Sequence, residues 1–113
     1  MRRAVRLWSK RIGVKVNRLQ IRTMSSKWAS VSTAGQLTLN AELLSLPRGL
    51  GEFVVVHELV HLLAPNHGRL HTSFMNSYLP DWRSRQDALR EAAQSTLSDR
   101  AAQTISPPYA AVP

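Results

Sequence analysis

With 113 residues, of which 43% are hydrophobic and 19% charged, the chain has the size and composition of one folded domain, which argues against wholesale disorder and against two independent domains. It contains no cysteine, so disulfide frameworks, thiolate metal ligands and cysteine nucleophiles are excluded and any metal must be held by His, Asp or Glu. No apolar run approaches the roughly 18 residues of a spanning helix and no signal-peptide core follows the basic start, so a soluble cytoplasmic protein without membrane contact is expected.

The net charge of +8 is unevenly spread. Residues 1–41 carry nine basic groups, Arg2, Arg3, Arg6, Lys10, Arg11, Lys15, Arg18, Arg22 and Lys27, and no acid, whereas the remainder holds six basic and seven acidic groups. Such asymmetry permits nucleic acid as a partner through residues 1–41; a solvated basic face is the plainer reading.

Met1, Ala4, Val5, Trp8 and Ile12 recur at spacings of three and four, the pattern of an amphipathic helix, closed near Gly13. Leu19, Ile21 and Thr23 then alternate with Arg18, Gln20 and Arg22, as in a half-buried strand with a basic outer face. Two further short strands are expected at 27–32 and 36–40, turned at Ala34-Gly35, giving a small antiparallel sheet. Asn40 is suited to cap a helical turn through Leu44, and Pro47, Gly49 and Gly51 break the pattern. Residues 51–63, GEFVVVHELVHLL, are apolar nearly all round, the mark of a central buried helix. Pro65-Asn66 turns the chain, and helices are expected over 68–78 and 82–97, the second following the Pro80-Asp81 turn. We therefore expect a single domain over residues 1–98 and an unstructured tail over 99–113.

The chemistry lies in His57-Glu58-Leu59-Val60-His61. Residues four apart share one helical face, so both imidazoles can reach a common ion, with Glu58 beside them as general base for a metal-activated water. By composition the pattern arises by chance about once in 200 such chains. His67, six residues beyond His61, supplies a third ligand at the spacing of the HExxHxxGxxH pattern, with Ala64 where that pattern has glycine; Pro65 and Asn66 can make the turn instead. Three histidines within eleven residues weigh against ordinary core hydrogen bonding, because an apolar helix would otherwise bury three polar groups. All-histidine ligation favours Zn2+, one per chain. His71 is open between alternative ligand, partner of another ligand and substrate contact, with His67 preferred as ligand. Arg69 and Tyr78 are candidates for contacting an oxyanion, but nothing in the spacing demands it and an ordinary surface or packing role is the plainer reading of each.

The chain resembles the YgjP-like metallopeptidases, small zincin-type proteins grouped near the SprT-like and M48 metallopeptidases. The matching segments are LQIRTMSSKWASVSTAGQLTLN, VVVHELVHLLAPNHG and SYLPDW, and the likeness runs from about Trp8 to Leu89. It implies a minimal zincin-like α+β domain, with a small antiparallel sheet beside the active-site helix and further helices C-terminal. It also implies that His57, His61 and His67 bind zinc, that Glu58 is the catalytic acid/base, and that peptides or proteins are the substrate. The family motif usually has an aromatic residue where His71 stands and often a cysteine where Val31 stands. Its members commonly carry a longer N-terminal portion. SprT-like relatives also make credible a nucleic-acid-associated protein whose metal site is structural or acts on DNA-bound proteins.

Overall fold

A computed structural model describes residues 1–99, and the tail expected beyond them lies outside the described residues. The elements are α1 (Arg2–Ile12), β1 (Arg18–Arg22), β2 (Ala29–Val31), β3 (Gln36–Asn40), a 3-10 turn (Ala41–Ser45), α2 (Arg48–His61), α3 (Arg69–Tyr78) and α4 (Trp82–Asp99). This is the expected α+β arrangement of a small sheet beside a central helix.

The sheet is mixed. Its order is β1-β3-β2, with β2 antiparallel to β3 and β1 parallel to β3. The antiparallel expectation thus applies to the β2–β3 hairpin and is corrected for β1, which lies on the far side of β3 from the hairpin partner. Alternating burial along β1, with Leu19 and Ile21 inward and Arg18, Gln20 and Arg22 exposed, fixes which face is buried but not which strand pairs with it. Gly35 turns the hairpin at φ +85°, and a Cβ there would come within 2.8 Å of the Lys15 carbonyl oxygen, so both conformation and space call for glycine.

Helix α2 is the core of the molecule. Phe53, Val54, Val55, Val56, Leu59 and Val60 are fully buried, each contributing roughly 1.5–3 kcal/mol of apolar burial. Around them pack Val5, Trp8 and Ile12 of α1, Leu37 and Leu39 of β3, Met75 of α3, and Leu89 and Ala93 of α4. The helix begins at Arg48, three residues before the expected start. Pro47 stands at its N-cap, and Gly51, instead of breaking the helix, admits Met1, whose Cε would lie 3.0 Å from a Cβ at that position. Tertiary contact overrides the local cost of glycine.

Two polar networks lock this frame. Glu52 of α2 accepts hydrogen bonds from Trp8 Nε1 at 2.9 Å and Arg85 Nη1 at 2.8 Å, joining α1, α2 and α4. Burial raises the Glu52 carboxyl, but the bonds from Arg85 and Trp8 outweigh it and hold the group below its usual range. Asn40, fully buried, caps the 3-10 turn by accepting from the Glu42 amide at 3.0 Å. Its Nδ2 also donates to the carbonyls of Met24 at 3.0 Å and Lys27 at 2.8 Å, so one side chain fixes the loop leading into β2. Asn40→Ala is expected to cost about 1–3 kcal/mol, because it removes a cap and two further bonds to part-buried backbone carbonyls. Urea unfolding measures it, and a loss below about 0.5 kcal/mol would contradict the role.

Candidate metal centre

His57, Glu58 and His61 occupy the last turns of α2, where the helix passes beneath β2. The four-residue spacing brings His57 Nε2 and His61 Nε2 to 3.2 Å. His67, in the segment between α2 and α3, places its Nε2 3.0 Å from that of His61. Four ligands about 2.0–2.1 Å from a tetrahedral ion lie about 3.3 Å from one another, so these separations fit imidazoles facing one cation. His61 Nδ1 is 3.1 Å from the Pro65 carbonyl oxygen; donation there leaves the Nε2 lone pair toward the cluster, the usual way a ligating ring is oriented.

Glycine is not needed at position 64. The chain leaves α2 through a tightened turn in which the Leu62 and Leu63 amides bond the Leu59 and Val60 carbonyls and the Ala64 amide closes on Val60 at 2.8 Å. Ala64 is buried there, and the exposed Pro65 and Asn66 carry the chain on to His67.

His71 joins the group from the first turn of α3. One ligand atom from each of His57, His61, His67 and His71 lies within 4.8 Å of all the others, a cluster able to hold a metal ion. His71 is 4% exposed and hydrogen-bonds the His57 backbone. Burial and then the neighbouring His61 and His67 pull its pKa down to about 4, the bond to His57 opposing.

Glu58 is 1% exposed, and its Oε2 has no hydrogen-bond partner. Burial pushes the carboxyl up to about 8, the Lys27 charge pulling the other way. A cleft of about 470 Å³ opens over it, lined by Lys27, by Ser30, Val31, Ser32 and Thr33 of β2 and its turn, and by His61 and His67. Sequence reasoning places Lys27 only among the basic residues; its position beside Trp28 in the conspicuous Lys-Trp-Ala-Ser segment was the available signal. Arg69 and Tyr78 do not line this cleft. Arg69 is exposed, while Tyr78 packs against Trp8 and Phe74, with ring centroids 6.4 and 6.2 Å away.

These shifts give the metal-free protein a signed pH dependence. Between pH 4.5 and about 8 folded Glu58 keeps a proton that the unfolded chain has lost, so stability falls as pH rises. His71 acts oppositely, since its stability contribution is lost as pH falls from 6.5 towards 4. From pH 6.5 to 8 the Glu58 carboxyl should cost the chelated protein about 2 kcal/mol. Urea titrations at the two pH values read this loss, which Glu58→Gln should abolish; equal slopes in both proteins would refute the assignment.

Comparison with known proteins gives a family and a fold. No curated protein matches the chain in sequence. The fold is similar to that of the metallopeptidase zymogen abylysin of Pyrococcus abyssi, with a TM-score of 0.74, 21% identity, and coverage of 82% of this chain and 94% of that one. It is also similar to the metallopeptidase zymogen jannalysin of Methanocaldococcus jannaschii, with a TM-score of 0.70, 21% identity, and coverage of 85% and 95%. At such identities the likeness is one of fold. Among the described residues no helix is long and apolar enough to cross a membrane. The family model of the YgjP-like metallopeptidase domain matches residues 1–92, and the chain belongs to that family.

Proposed function

We propose that the chain is a zinc-dependent peptidase of one domain, residues 1–98, in which His57, His61 and His67 hold one Zn2+ and Glu58 is the general base. The observation carrying this reading is that the His61 Nε2 lies 3.2 Å from that of His57 and 3.0 Å from that of His67, beside a buried carboxyl in the wall of the cleft. Zinc held there would supply Lewis-acid polarisation of a peptide carbonyl and of the attacking water.

The remaining work falls to the chain. Glu58 takes a proton from the water as its oxygen bonds to the carbonyl carbon, and returns it to the amine as the C–N bond breaks. Burial raises this carboxyl in the metal-free chain, and the charge of a bound cation would draw it back toward the ionised form that accepts the proton. Lys27 favours the ionised form that accepts the proton. Strand β2 is an outer strand of the sheet and lines the cleft, so an extended peptide pairing with its open edge would run past Glu58.

The test is hydrolysis of fluorogenic peptides and of an unfolded protein by the zinc-loaded chain. Cleavage lost on chelation and restored by Zn2+ is expected; cleavage indifferent to chelation would refute the reading. The nucleic-acid alternative has one observation in its favour, that Arg2, Arg6 and Arg18 line one cleft with Ser9 and Asn17. Duplex and single-stranded DNA binding across a salt series tests it, with steep salt dependence expected for phosphate contacts and no binding at low salt against it.

A further inference from the structure

Three imidazoles complete the protein's share of an open catalytic zinc site, yet four converge here. We propose that His71 is a fourth ligand, so that the resting metal centre is closed by four histidines and a substrate reaches the ion only by displacing the His71 imidazole. This rests on the zinc site proposed above.

The ring of His71 lies as close to the others as they lie to one another. Centroid distances are 4.8 Å to His57, 4.7 Å to His61 and 5.1 Å to His67, against 4.9, 5.3 and 4.7 Å among those three. One ring nitrogen hydrogen-bonds the His57 backbone. The Nε2 is buried without a partner, so Nδ1 is the donor, the neutral ring is in one tautomer, and the Nε2 lone pair is free to ligate. His61 is held in the same way by the Pro65 carbonyl, and an N–H fixed on a backbone carbonyl is the ordinary support of a ligating imidazole.

Burial without a donor is costly for such an acceptor. A cation shared with His57, His61 and His67 would take up the His71 Nε2 lone pair. The nearest competing role, packing, does not require a polar ring at a site 4% exposed.

Four zinc ligands leave no open position, whereas catalysis needs one. His71 stands in the first turn of α3, on a different element from the His57–His61 pair, so its withdrawal breaks the bond to the His57 backbone while leaving the two α2 ligands on their helix. Substrate binding and His71 ligation then compete for the same coordination position.

X-ray absorption on the zinc-loaded full chain counts the imidazoles, in wild type and in His71→Phe and His71→Leu, the second being a smaller replacement should the first misfold. Four imidazoles are expected in the wild type, and three with one oxygen in the variants. Zinc affinity should fall by more than the roughly 10–100-fold that loss of an outer partner costs. In cobalt-substituted protein, added azide should alter the visible spectrum of the variants and leave that of the wild type unchanged. Zinc held by three imidazoles in the wild type, with the same count in the variants, overturns the fourth ligand and leaves the peptidase reading standing. A wild type that takes up no zinc overturns both.

Discussion

Glu58→Gln is expected to slow peptide hydrolysis by about 10²–10⁴-fold while zinc content stays at one per chain. Glutamine keeps the shape and fills the same buried place, but it cannot take the proton of the attacking water. The metal ligands are all imidazoles in this account, so binding should be indifferent to the change. Metal-free stability should rise near pH 8, because the substitution removes a carboxyl that burial disfavours in its charged form. Steady-state rates, elemental analysis and urea unfolding on one preparation separate the three effects. Activity within a factor of a few of wild type would remove Glu58 from the proton transfer, and loss of zinc would mean that the carboxylate is itself a ligand.

The second large effect concerns metal and stability together. A site assembled from α2, the α2–α3 segment and the start of α3 exists only in the folded chain, so zinc binding is linked to folding. At free zinc about 1,000 times the dissociation constant the gain is about 4 kcal/mol, and for a domain near 100 residues that raises Tm by roughly 15–30 °C. His61→Ala should abolish the rise, because His61 Nε2 lies 3.2 Å from that of His57 and 3.0 Å from that of His67. Thermal unfolding with and without zinc measures it. A wild-type shift that survives in His61→Ala would place the metal elsewhere.

Much of this arrangement is legible in the sequence because it follows from periodicity. His57 and His61 share a face through the four-residue repeat, and three polar residues within the apolar stretch from Phe53 to Leu63 demand a purpose. The strands were marked by alternation and by the Gly35 turn. What periodicity does not carry is partnership between distant elements. The parallel pairing of β1 with β3 depends on which side of the hairpin the chain approaches, and nothing local in Arg18–Arg22 encodes that side. Gly51 lies inside α2, where Met1 packs against it, a contact between residues fifty positions apart. Asn40 reads as a cap from its neighbours, while its bonds to the Met24 and Lys27 carbonyls join residues 13–16 positions away. Lys27 becomes part of the cleft only because that loop is held against α2, and His71 joins the histidines because α3 doubles back beside α2. Arg69 and Tyr78 show the reverse: residue type suggested chemistry, whereas the helix directs one to solvent and the other to Trp8.

Whether these histidines form a metal site is measured most directly by elemental analysis of the purified chain, wild type beside His67→Ala. About one zinc per chain in the wild type, with a marked loss in the variant, is the predicted result. No metal in the wild type, and none taken up when zinc is added, would contradict the account.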